Sequence, residues 1–295
     1  MAKKTASSES PSSAPARPKV SRAQKTREVQ EAITASALEL LAENGVDGLA
    51  LTKIAAHAGM SNGPLYGRYD SAEDVALELW DEKLRDHFRR LILEFDTFAS
   101  SNDSKPSEWL LQELETPSAL TAAALEIVAV ARRFPLLVDS VRDEVDSLFQ
   151  HICAEHPDIP PSICSLRLTV PTGCILTSRS VPKSRPPWKA ILLRFRESAL
   201  DPANLNQHGL TADPVSLSIP APDTGDVGLD EFVYAVMEVV ARVGFEKTTA
   251  HRVARAAGHS FSSAYTHVGT KDELMHMAIG QMMTQIWRTG TASFL

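Results

Sequence analysis

Residues 33–75 and residues 232–274 repeat one pattern, aligning without a gap at a constant offset of 199. Gly45 pairs with Gly244, Ala55 with Ala254, Ala58 with Ala257, Gly59 with Gly258, Ser61 with Ser260 and Tyr66 with Tyr265. The apolar positions pair as well. Ile33, Ala37, Leu40 and Leu41 match Phe232, Val236, Val239 and Val240, an i, i+4, i+7, i+8 stripe that marks one buried face of a helix. Apolar period and glycine punctuation recur together, so both segments are expected to fold the same way.

Each copy reads as four helical segments. Residues 26–43 form an amphipathic helix stopped by Asn44-Gly45, a pair that tolerates the left-handed backbone closing helices. A short helix over 51–58 ends at Gly59, and the Ser61 hydroxyl is expected to cap the next helix. Pro64 falls in that helix's first turn, where a missing N–H costs nothing. Ser71 to Asp74 and Thr270 to Glu273 resemble capping boxes opening a fourth, longer helix. Two short helices joined by a glycine-containing turn make a helix-turn-helix, whose second helix can enter a DNA major groove.

These residues resemble the TetR-type repressors over 26–80 and again over 228–281. The resemblance rests on the glycine after helix one, the Ala-x-x-Ala-Gly-x-Ser run (Ala55 to Ser61, Ala254 to Ser260), the tyrosine of the next helix and the acidic opening of helix four. Each copy departs from the family pattern. Copy one has Ala50 where a capping Thr is usual and Ala72 where a Lys is usual. Copy two keeps both, as Thr249 and Lys271, but has Val268 where Tyr69 closes the recognition helix of copy one.

The implied fold is all-α: an N-terminal helix-turn-helix head of three helices, a helical sensor and dimerisation domain, then a second helix-turn-helix head. Residues at the start of a recognition helix face base edges, while flanking residues hold phosphates. In copy one this assigns Asn62 and Gly63 to bases and Thr52, Lys53, Tyr66 and Arg68 to phosphates, with Ser61, Pro64 and Tyr69 alongside. An Asn amide can pair bidentately with adenine. In copy two, Phe261 and Ser262 face bases, while Thr249, Arg252, Tyr265, His267 and Lys271, with Ser260 beside them, serve the phosphates. The competing readings are inter-helix packing for the two tyrosines and solvated charge for Lys53 and Arg252.

Between the copies, residues 117–133 carry Leu120, Ala124, Ile127 and Val128 at helical spacing, and Phe134-Pro135 breaks the run before a helix reaching Cys153. A helix over 162–180 contains Pro171 and Gly173, so a kink or break is expected there. The helix over 187–200 places Trp188, Ile191, Leu192, Phe195 and Ala199 on one side. The family resemblance implies a four-helix dimer interface, assigned to residues 162–200, and a small-molecule pocket in residues 80–160. Phe88, Leu91, Phe95, Trp109, Leu111 and Ile127 are the pocket candidates, against the alternative that they are ordinary core. The expected domains are a disordered tail (1–24), the first head (25–80), the sensor domain (81–202), a Pro-, Asp- and Gly-bearing linker (203–227) and the second head (228–295).

Net charge is −7, which argues against a surface uniformly adapted to polyanions, yet residues 1–30 hold seven Lys and Arg against two Glu. That tail reads either as solvated chain or as a basic arm touching phosphates. No apolar run is long enough to span a membrane, and the first ten residues hold no apolar stretch, so a cytoplasmic location is expected. Cys153, Cys164 and Cys174 are too widely spaced for a C-x-x-C motif and read as reduced structural thiols, with redox sensing the alternative. The sequence holds no G-x-G-x-x-G, P-loop, H-E-x-x-H or G-x-S-x-G, and His87, His151 and His156 have no nucleophile nearby in sequence. The expectation is a non-enzyme without cofactor or metal. Its partners would be double-stranded DNA and a small-molecule inducer, and it would act as a homodimer or as a pseudo-dimer of its own two heads. The other non-catalytic reading is a co-regulator whose heads contact proteins.

Overall fold

The computed structural model describes residues 22–100, 105–180, 186–199, 222–245, 247–260, 270 and 272–281, and among them the fold is all-α. The first head consists of α1 (Arg22–Asn44), α2 (Leu51–His57) and α3 (Gly63–Tyr66). α4 (Ala72–Leu79) runs through a π-helical turn at Trp80–Leu84 into α5 (Arg85–Ala99). Then come α6 (Glu108–Glu115), α7 (Ala119–Val130) with a 3-10 extension at Ala131–Arg133, α8 (Pro135–Glu155), α9 (Pro161–Ser180) and α10 (Trp188–Ala199). The C-terminal unit contributes α11 (Val227–Val243), α12 (Ala250–Ala256) and a final helix, α13, over 272–281. The expected tail up to residue 21 and the expected linker from 203 to 221 lie outside the described residues.

Ile33, Ala37 and Leu41 are fully buried, as the stripe requires, and join one continuous core that passes from the head through Trp80, Phe88, Phe95 and Ile127 to Trp188 and Leu192. Each such large side chain contributes about 1.5–3 kcal/mol by leaving water. The C-terminal unit has a separate core of Phe232, Val233, Val236, Val253, Ala254, Leu274 and Ala278, built on the equivalent stripe.

The alanine-rich α7 is the central post. Ala122, Ala123 and Ala124 lack the bulk to hold neighbours away, so α1 packs on one side and α5 on another. Ser107 and Ser118 cap α6 and α7 by accepting from the Leu110 and Thr121 amides. Ser71 and Asp74 form the complete capping box expected at α4, with the Asp74 amide donating to Ser71 Oγ and the Ser71 amide to Asp74 Oδ2. Ser71→Ala is therefore expected to cost about 1 kcal/mol in urea unfolding. Ser71→Thr, which keeps the acceptor, should cost little.

Charged side chains tie the outer helices. Arg89 forms a bidentate pair with Glu144 across α5 and α8 at 2.8 and 2.7 Å. Asp96 on α5 accepts from Arg167 of α9 at 2.7 Å and pairs with His156, just beyond α8, at 3.1 Å. Hydrogen bonds also connect this domain to the head and α4, among them Arg179 Nη2 donating to the Ala42 carbonyl at 2.8 Å and the Leu136 amide donating to the Glu73 carboxylate at 2.7 Å, which caps α8.

α9 continues without a break through Pro171, packed along α5, α6 and α8. Trp188 and Leu192 do not form an outer dimer face. They are buried in the chain's own core, where Trp188 Nε1 donates to Ser178 Oγ at 2.7 Å, while Ile191 faces outward and the Phe195 side chain is outside the described set. Phe88, Leu91, Phe95 and Ile127 are fully buried members of the core, with Trp109 and Leu111 half-buried against it.

Burial pushes the Cys164 thiol up to about 11, helped by its hydrogen bond to Cys153, and pushes Cys174 up to about 11. Both stay protonated at neutral pH and are poor nucleophiles. Among the described residues no cluster could hold a metal ion, and no single helix is long and apolar enough to cross a membrane.

Candidate nucleic-acid interface

The turn between α2 and α3 is built from backbone hydrogen bonds. Gly59 has φ 66°, the Met60 amide donates to Ala55 O at 3.0 Å and the Gly59 amide to Ala56 O at 3.1 Å, which is a complete Schellman closure. The C-terminal unit repeats it. Gly258 has φ 74°, with the His259 amide on Ala254 O at 2.9 Å and the Gly258 amide on Arg255 O at 3.2 Å. A non-glycine residue at either position would adopt a left-handed backbone at a cost of about 1–2 kcal/mol.

α3 is one short turn whose buried side chain is Leu65, fixed in the core. Ser61, Asn62, Gly63, Pro64, Tyr66 and Arg68 are all exposed around it, with Tyr66 at 57%. The face predicted to meet DNA is therefore solvent-facing on a rigid base. Thr52 and Lys53 are exposed on α2 beside it, while Leu51, Ile54 and Ala55 are buried.

Two assignments change. Ser61 does not cap α3: Asn62 holds the N-cap position with φ −65° and ψ −25°, already helical, and no side chain caps the turn. Tyr69 is 6% exposed, and its hydroxyl accepts from Gln30 Nε2 at 2.8 Å. Burial raises its pKa from the ordinary tyrosine value, with the Gln30 hydrogen bond acting in the opposite direction. It is a packing residue that closes the recognition segment, and Tyr66 presents the exposed hydroxyl.

Lys53 donates to the Gly48 carbonyl at 3.1 Å, and its counterpart Arg252 donates to Lys247 O at 2.8 Å, the same tether at the same offset. Neither is simply solvated charge. Each is held over the start of its helix, with donors left to offer. Thr249 accepts from the Arg252 amide and caps α12, whereas Ala50 gives α2 no side-chain cap. The Thr270–Glu273 capping box also forms, at 3.0 and 3.1 Å. Ser260 is exposed, and Phe261, Ser262, Tyr265, His267 and Lys271 lie outside the described residues.

Sequence spacing did not reveal Gln30. From α1 it bonds the Arg68 guanidinium, the Tyr69 hydroxyl and the Glu78 carboxylate, joining the recognition segment to α1 and α4. It lies 38 or more positions before the residues it bonds, so no local pattern marks it.

No curated protein matches the chain. Residues 33–79 match the family model of bacterial regulatory proteins of the tetR family, a span running from the buried stripe of α1 through the exposed α3 to the end of α4. The N-terminal head is of the DNA-binding type found in the tetR family of bacterial regulatory proteins.

Proposed function

We propose that the chain is a one-component repressor of transcription. Its first head would enter a major groove with α3, and a small molecule bound in the helical domain would release it. The observation that carries the reading is the α3 segment, whose side chains apart from Leu65 face solvent on a base fixed by the Gly59 closure and Gln30. Asn62 would read base edges, while Tyr66, Arg68, Thr52 and Lys53 would bind phosphates.

The release step and the repressor sign follow from the family resemblance. Physical support for release comes from the rigid connections between the helical domain and the head, namely the α4–α5 run, Arg179 on Ala42 and Glu73 on Leu136. A ligand shifts such a system only by its different affinity for two arrangements. Homodimerisation is assigned to the outward faces of α9 and α10, where Leu176 and Ile191 are exposed. The C-terminal unit is a second helix-turn-helix head, supported by the repeated closure, tether and capping box.

The test is binding of the intact protein to DNA fragments across a salt series. The logarithm of affinity should fall linearly with the logarithm of salt concentration, by about 0.9 per phosphate neutralised. If no DNA is bound even at low salt, the heads serve protein contacts instead.

A further inference from the structure

The C-terminal unit has its own small core but no helical domain of its own among the described residues. In the first head, Gly45 has φ 69° and ψ 177° and faces Glu126 of α7 so closely that a Cβ there would meet the carboxylate; the Val46 amide donates to the same Glu126 at 3.3 Å. In the C-terminal unit, Gly244 has φ 82° and ψ 163°, the same conformation at the equivalent position. A Cβ on Gly244 would collide with Arg133 and Asp47. Arg133 lies seven residues beyond Glu126, about two helical turns along α7 and its 3-10 extension, and so on the same side. α7 thus offers two seats two turns apart, each receiving the glycine corner of one repeat.

Charge fits the second seat. Asp47, in a 3-10 turn at Val46–Gly48 between α1 and α2, pairs with Arg133 at 2.7 Å, both side chains being 13% exposed, and its other oxygen faces Lys247 of the C-terminal unit at 3.7 Å. The Lys247 ammonium and the Arg133 guanidinium lie 5.2 and 5.6 Å from the centre of the Phe134 ring. Val240, Ala241 and Phe245 approach Ala129, Val130 and Arg132 around a cleft of about 440 Å³.

We propose that the turn Ala129–Phe134, together with Asp47, is a docking surface for the C-terminal unit of the same chain, so that one helical domain carries both repeats. The tether favours this occupant: only the stretch between residues 199 and 227 separates α10 from α11, which places the unit at a local concentration on the order of millimolar. If both repeats bind DNA, as the preceding reading holds, the seat fixes the geometry between them.

Treatment of the DNA-free full-length protein with a water-soluble carbodiimide should join the Lys247 amine to the Asp47 carboxylate without a spacer. The linked peptide is expected in the monomer-sized band and should be severalfold weaker in Arg133→Ala, which loosens Asp47. The proposal is overturned if Lys247 couples to other carboxylates and not to Asp47. It is also overturned if the linked peptide occurs only in the dimer-sized band, which would make the occupant a second copy. As a second arm, Lys247→Glu changes an exposed residue outside both cores. Amide exchange at Val243 and Gly244 should then accelerate about tenfold, with helical content unchanged, whereas unchanged exchange rates count against the seat. Because no DNA is present, failure here leaves the DNA-binding reading standing.

Discussion

Asp96→Ala is expected to lower the unfolding free energy by about 3–5 kcal/mol, the loss that follows when one partner of a buried ion pair is removed. Asp96 is 8% exposed and Arg167 is 4% exposed. The carboxylate is the anchor of a network in which Oδ1 accepts from Arg167 and Oδ2 pairs with His156, while Arg167 also donates to Ser100 Oγ at 2.8 Å. Without it the guanidinium remains inside with one weak acceptor, and its Nε already has no partner. The network joins α5, α9 and the end of α8, so its loss should be felt through the whole helical domain. Asp96→Asn, which keeps the shape and one acceptor, should cost less. The exposed pair Arg142–Asp139 provides the contrast, since Arg142→Ala should change stability by less than about 1 kcal/mol. Urea unfolding measures all three, and an Asp96→Ala loss below about 1 kcal/mol would show that the network does not hold the domain.

The second large effect is on binding. Asn62→Ala with Tyr66→Ala should weaken DNA binding by at least about tenfold and leave the melting temperature nearly unchanged. A bidentate amide–adenine pair is worth about 1–3 kcal/mol of discrimination. Both side chains are exposed on α3 and leave the Leu65 anchor intact, so their removal opens no cavity. Leu65→Ala is the opposite case. It removes a fully buried side chain and should destabilise the head by about 2–5 kcal/mol, losing DNA binding through the fold.

Backbone-determined features were the most legible in the sequence. The glycines at 45, 59, 244 and 258 all take the positive φ that their place after a helix demands, and the Ser71 and Thr270 boxes form because both partners lie within one turn. Features set by tertiary packing were not legible. Periodicity marks Phe88, Leu91, Phe95 and Ile127 as one buried set, but it does not distinguish a solid core from a lined cavity. Trp188 and Leu192 show the same ambiguity, since an apolar helix face packs equally well on its own chain or on a partner. Ser61 has the residue type of a cap, but the helical backbone of Asn62 decides the cap position, and no residue type announces that. Gln30 and Arg179 act across 38 and 137 positions, respectively, beyond the reach of any local motif.

The most direct test of the central claim is competition between wild-type protein and the Asn62→Ala, Tyr66→Ala variant for a pool of genomic fragments at low salt, with sequencing of the fragments each retains. The account predicts that the wild type enriches a defined two-fold symmetric site and that the folded variant does not. If the variant retains the same site with the same affinity, α3 is not the surface that reads DNA.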